Sequence, residues 1–112
     1  MKTILDLVKP KPEAKWVVFY SLGDGPDQGL YYDAHPIEQM RAALTMLAYD
    51  MNGKPLEYGH GAPLRLRNEL QLGFKQVKWI AGIELVESYS DVGGGHGGYN
   101  EDHEFFGYRQ SI

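Results

Sequence analysis

No cysteine occurs anywhere in the 112 residues. Disulfides, thiol catalysis and thiolate metal sites are therefore excluded for this chain. The absence carries no information on compartment, because it fits reducing and oxidising surroundings alike. Long hydrophobic runs are missing too: no apolar stretch approaches the roughly 20 residues that cross a bilayer. Met1 to Pro10 is short and amphipathic, with no small-residue cleavage site, so it does not read as a secretory signal. The chain as written is expected in the cytoplasm, and a longer parent with a leader is compatible with the periplasm. Basic clusters are also lacking, and the net charge is −4 with His neutral. Nucleic acid and an anionic membrane are accordingly not expected as partners.

What is present fits one small domain. Hydrophobic residues make up 43% of the chain, enough to build a core at a size where about two-thirds of the unfolded surface is buried. Thr3 is placed to cap a short helix, with Asp6 as capping-box partner and Ile4, Leu5, Leu7 and Val8 as apolar side chains. Pro10 and Pro12 stop it. Trp16 to Tyr20 is a β-branched and aromatic run that predicts a buried strand. A loop over Gly23 to Gly29 and a short strand at Leu30-Tyr31-Tyr32 follow. Pro36 suits the first position of a helix whose face is Ile37, Met40 and Leu44.

Thr45 to Tyr49 predicts a strand, and Asn52-Gly53 a tight turn, since both central residues of a type I′ hairpin need positive φ. Leu64 and Leu66 alternate with Arg65 and Arg67 as on another strand, and Val77 to Val86 ends in one, with Gly82 as a bulge position. From Gly93 the character changes. Gly93-Gly94-Gly95-His96-Gly97-Gly98 has almost no side chains to pack and predicts a flexible connector into a terminal tail. The expected organisation is a domain over residues 1–92 and a glycine-rich tail over 93–112. The opening, directly into a helix and a buried-type strand, looks like a piece of something larger.

Three blocks stand out: Thr45-Met46-Leu47-Ala48-Tyr49-Asp50-Met51-Asn52-Gly53-Lys54-Pro55-Leu56, His60-Gly61-Ala62-Pro63-Leu64-Arg65-Leu66-Arg67, and Gly73-Phe74-Lys75-Gln76-Val77-Lys78-Trp79-Ile80. In order and spacing they resemble the molybdopterin-binding domain of the sulfite oxidase family, and the likeness extends more loosely from Leu5 to Tyr108. The resemblance covers the C-terminal half of that cofactor domain. It implies an α+β fold of mixed, mainly antiparallel strands with two or three short helices. It also implies that His60, Arg65 and Lys78 contact the pterin and its phosphate, with Gln76 and the backbone around Phe74 and Lys75 nearby. The chemistry is sensible independently, since a guanidinium fork and an ammonium match a dianionic phosphate by charge-assisted hydrogen bonds. Free N–H groups of a Gly-Phe-Lys turn add a nest for its oxygens.

The resemblance further implies a parent oxidoreductase that exchanges an oxygen atom with a small oxyanion or oxide substrate at molybdenum and uses a separate electron acceptor. The family's thiolate ligand and its first anion-binding Arg lie in the N-terminal half and have no counterpart here, so that half is an implied partner and no residue of this chain is assigned as catalytic. Phe105 is the nearest candidate for a tyrosine that sulfite-oxidising members place near the metal, and a phenyl ring cannot donate the phenol's hydrogen bond. Two other classes stay open: a non-catalytic anion- or pterin-binding module, and a truncated structural fragment.

Plainer readings stand beside these. His60 is also a natural polar turn residue. Arg65 and Arg67, two apart on a strand, share a face, and one is free to be only a solvated charge. The Lys78 stem is placed to cover Trp79. His96, Glu101, Asp102, His103 and Glu104 suggest N and O metal ligands, but the spacing matches no standard zinc pattern. Asp24 and Asp27 depart from the calcium-loop pattern. Tyr20, Tyr31, Tyr32 and Tyr49 are read as core or rim.

Overall fold

The computed structural model describes residues 1–24, 30–71 and 75–104. Among these residues, three helices, Lys2–Val8 (α1), Ile37–Met40 (α2) and Tyr99–Glu104 (α3), accompany seven strands: Trp16–Asp24 (β1), Leu30–Pro36 (β2), Thr45–Ala48 (β3), Asp50–Met51 (β4), Lys54–Pro55 (β5), Arg65–Asn68 (β6) and Ile80–Val86 (β7). A 3-10 turn, Tyr58–His60, precedes β6. Pairing is antiparallel throughout: a three-stranded sheet ordered β2-β1-β7, a β3-β6 pair and a β4-β5 hairpin. This is the α+β class that the sequence predicts.

The central strand β1 explains the layering. Successive side chains alternate between faces. Val17 and Phe19 point to a core of Leu5, Met40, Leu66, Val77 and Ile80. Val18 points the other way, to Tyr32 and Ala34, with Trp16, Tyr20, Val86, Tyr89 and Val92 packed around them. The Asn52-Gly53 turn forms as expected, with φ of 54° and 75°, joining β4 to β5. A bulge falls beside Gly82: Tyr20 pairs with Gly82 but Ser21 with Ile80, which leaves Ala81 as the extra residue.

The helices depart from the sequence reading. Thr3 lies inside α1 and makes no cap; the helix starts at Lys2 behind Met1, with no side-chain cap bond. The Met1 ammonium instead reaches the Thr45 carbonyl at 3.4 Å. The stop at Pro10 holds, with Lys9 turning left-handed at φ 51°. Helix α2 is a single turn. Arg41 and Ala42 donate to carbonyls three residues back, which tightens and ends it. Met40 is buried, but Leu44 falls beyond the helix and is 58% exposed. Pro36 is the last residue of β2 rather than the first of the helix.

The largest difference lies in 93–104, expected as a connector with few contacts. The structure packs these residues as a strap against β2. Ala34 N–H donates to Gly97 O at 2.8 Å, and Asp33 bridges Gly98. Asp102 gathers donors: Tyr32 Oη at 2.5 Å, Gly94 N at 2.7 Å, His96 N at 2.9 Å and His96 Nδ1 at 3.1 Å. Burial alone would raise the Asp102 pKa, but these hydrogen bonds outweigh it and hold the carboxyl below its ordinary value. Absence of side chains is what permits the contact: a Cβ on Gly93 would run into the Tyr32 ring, and one on Gly94 would stand 2.8 Å from the Asp102 carboxyl carbon. Phe105 lies outside the described residues.

Candidate anion site

The site is built where two segments run side by side. The first is the 3-10 turn ending at His60, then Gly61, a cis Ala62-Pro63 bond and β6 from Arg65. The second is Gln76 to Ile80. Trp79 N–H donates to Gly61 O at 3.2 Å, Ile80 N–H to Leu64 O at 2.9 Å, and the Trp79 indole N–H to Tyr58 O at 2.6 Å. Leu66 N–H donates to Val77 O at 2.8 Å. Gly61 is left-handed at φ 101°, and a Cβ there would lie 3.0 Å from Lys78 Cβ and 3.3 Å from Arg65 Cβ. The Arg65 and Lys78 side chains therefore start from either side of one glycine. Trp79 itself has φ 52°, an outlying conformation for a bulky side chain that costs of order 1–3 kcal/mol and clusters at functional positions.

Arg65 and Arg67, equivalent by spacing, differ in the structure. Arg67 ion-pairs with Glu69 at 2.5 Å on the surface. Arg65 Nη1 donates to the His60 carbonyl at 3.1 Å, while its Nε is buried without a hydrogen-bond partner among the described residues. A buried, unpaired guanidinium N–H is costly. Because that Nε is closed to solvent, an oxyanion arriving from outside would meet the guanidinium at its Nη groups, the kind of donor a phosphate takes. Arg65 also faces a groove of about 300 Å³ on the outer face of β3 and β6, with Met46, Ala48 and Leu56.

The other candidates are placed as follows. His60 joins the site through its carbonyl, and it also lines a neighbouring cleft of about 330 Å³ with Asn52 and Lys54. Lys78 Nζ sits over the Trp79 ring, 6.0 Å from its centroid, a cation–π arrangement. Gln76 is half-buried and donates to Gln71 O at 3.5 Å. Phe74 lies outside the described residues. The Lys75 ammonium faces away from any surface anion: it is wholly buried and ion-paired to Asp33 and to Glu101, the latter at 2.6 Å. Two carboxylates already satisfy its charge, so only the backbone of Lys75 is left to face the site.

Behind Lys75 lies a buried polar layer that sequence reasoning missed. The Lys75 carbonyl only accepts, so His35 Nε2 must donate to it, at 2.8 Å. His35 Nδ1 then accepts from the Asn68 amide at 3.2 Å. Asn68 and Gln71 both donate to Gln39 Oε1 at 3.3 Å. Burial, with the Lys75 charge adding to it, pushes His35 down to about 3 and keeps it neutral. Burial likewise holds the Asp33 carboxyl well above the carboxylate range, outweighing the ammonium beside it. The available signal was alternation: Asp33 and His35 interrupt β2 at every second residue, the pattern of one face. Among the described residues no three His, Asp or Glu side chains group as metal ligands, and no helix is long and apolar enough to cross a membrane.

Comparison with known proteins gives a consistent picture. Residues 1–92 match the family described as oxidoreductase molybdopterin binding domain. The chain is similar to the protein-methionine-sulfoxide reductase catalytic subunit MsrP of Xanthomonas axonopodis pv. citri, 37% identical over 99 residues, covering 80% of this chain and 30% of the relative. The corresponding subunit of Campylobacter jejuni is 33% identical over 98 residues, covering 78% of this chain and 33% of the relative. The chain thus spans about a third of the length of these relatives.

Proposed function

The chain belongs to the oxidoreductase molybdopterin-binding domain family, and on that premise we propose that it is a pterin- and phosphate-contacting part of such a domain, without catalytic activity on its own. The observation that carries this reading is the approach of Arg65 and Lys78 to the same left-handed Gly61. Arg65, Lys78, the His60 and Gln76 side chains and the backbone around Phe74 would hold the cofactor. When bound, molybdopterin supplies the molybdenum centre at which an oxygen atom is exchanged. This chain's residues bind its anionic end and fix its orientation, in keeping with the division of labour between a cofactor and its protein.

With no cysteine present, the metal's thiolate comes from elsewhere. We place this chain as the C-terminal half of the domain, joined by an N-terminal half that brings that ligand. For the whole protein, the relatives' names support sulfoxide reduction: the sulfoxide oxygen leaves as water, with two electrons and two protons from a separate redox partner. Residues 93–112 would form the tail that follows the domain proper.

Inorganic phosphate titrated against the 112-residue chain, followed by the amide signals of Gly61, Gln76 and Lys78, tests the site. Arg65→Ala is expected to weaken binding by about 1.5–3 kcal/mol, roughly ten- to a hundredfold. The chain purified from a molybdopterin-making host should show no sulfoxide turnover. Equal phosphate affinity of parent and variant would remove the site, and turnover would overturn the non-catalytic reading.

A further inference from the structure

Lys75 is the residue immediately before the Gln76–Lys78 turn, and it is held at both ends. Its ammonium contacts Asp33 of β2, Glu101 of α3 at 2.6 Å and the Ala34 carbonyl at 3.4 Å. Its carbonyl accepts from His35, also on β2, at 2.8 Å. Beyond it, Val77 is tied to Leu66 and Trp79 to Gly61. Lys78 is thus set between fixed points, although only Val77 of residues 76–78 is buried.

Stability alone does not account for this choice. A buried ion pair is often no more stabilising than well-packed apolar residues of similar volume. Here two carboxylates face one ammonium, so a negative charge or an extra proton is left over. Glu101 Oε2 is buried with no hydrogen-bond partner among the described residues. What the arrangement does provide is a fixed link between three parts of the chain: the turn, β2 and the C-terminal strap. Binding sites gain affinity from such supporting contacts, which hold the contacting groups in place before the ligand arrives.

We propose that Lys75 is a positioning residue for the anion site, clamping the Gln76–Lys78 turn to β2 through Asp33 and to the C-terminal strap through Glu101. This rests on the reading of Arg65 and Lys78 as an anion site. Lys75 does not touch the ligand; it acts through Gln76 and Lys78. The strap, whose Glu101 lies 26 residues along the chain from Lys75, thereby becomes part of the support of the site.

The test compares the parent chain with Lys75→Met/Glu101→Gln, which removes the ammonium and one buried carboxylate together. A milder variant, Glu101→Ala, leaves the Lys75–Asp33 pair in place and breaks only the link from Lys75 to the strap. Two quantities are read: amide exchange protection at residues 76–80 without ligand, and inorganic phosphate affinity. Protection at 76–80 is expected to fall in both variants, and the double variant is expected to bind phosphate about tenfold more weakly, the equivalent of about 1.4 kcal/mol. A merely structural role would lower the unfolding midpoint while leaving protection and affinity of the folded protein unchanged, and that result would overturn the positioning role alone. Absence of phosphate binding to the parent chain would overturn the anion site and this role with it.

Discussion

Gly95→Ala is expected to destabilise the chain by about 2–5 kcal/mol, combining the left-handed backbone penalty with that of overpacking. Gly95 has φ 85°, and an added Cβ would lie 2.7 Å from the Ser90 carbonyl oxygen. That neighbour is backbone, so no rotamer change relieves the clash. The Gly95 amide is also engaged, donating to Val92 O at 2.9 Å. Gly53 provides the control. It has a similar φ of 75° but nothing within 4 Å of the added atom, so Gly53→Ala should cost only the backbone part, about 1–2 kcal/mol. Urea unfolding of both variants measures the difference. Equal losses would mean that the strap is not packed as described.

Acidification gives the second large effect. His35 titrates near 6.5 when unfolded but only at about 3 in the fold, through burial and the Lys75 charge. The unfolded chain therefore takes up a proton that the folded chain refuses. The His35 contribution is complete above pH 6.5 and is lost as pH falls towards 3. Between about pH 6.5 and 4.5 the loss should reach about 2–3 kcal/mol. Asp33 acts with the opposite sign. Its raised folded pKa makes the folded state the better proton binder, so its contribution is present at low pH and declines as pH rises through the folded pKa. The His35 part is isolated by subtracting the pH profile of His35→Gln, whose amide can still donate to the Lys75 carbonyl but does not titrate. Parallel profiles for the two proteins would show that His35 is protonated in the folded state.

Much of the strand framework was legible because it rests on short-range chemistry. Trp16 to Tyr20 announces β1 by its side chains, and Asn52-Gly53 announces a turn because positive φ is cheap there. The helices were less legible. The apolar spacing of Ile37, Met40 and Leu44 is real, yet one turn was enough to deliver Met40 to the core, and the chain then left the helix. Thr3 has no capping role because the helix begins one residue ahead of it, at Lys2. For the site, the His60-to-Arg67 and Gly73-to-Ile80 blocks pointed to the two segments that meet at Gly61. What distinguishes Arg65 from Arg67, a buried unpaired N–H against a surface ion pair, is tertiary and leaves no mark in the local pattern. The burial of the Lys75 side chain is tertiary too: its partners, Asp33 and Glu101, are 42 and 26 residues away. The glycine run carries two messages: missing side chains mean entropy when seen alone, but allow close approach when a surface such as Tyr32 is waiting.

The pairing of Ala34 with Gly97 has a consequence for where this domain ends. Among the described residues β2 has a strand, β1, on one side only, so its other side is an edge, the kind of surface that recruits strands from other molecules. The strap occupies that edge with a short stretch of its own backbone. The family match stops at residue 92, one residue before the strap begins. A polypeptide ended at that border would keep the matched sequence yet expose the edge of β2 to a second copy of itself. Concentration-dependent association of the shortened chain in sedimentation, absent from the full 112 residues, is the expected sign, and a strictly monomeric shortened chain would show that the edge is guarded by other means. In this reading the glycines after residue 92 keep the sheet from propagating between molecules.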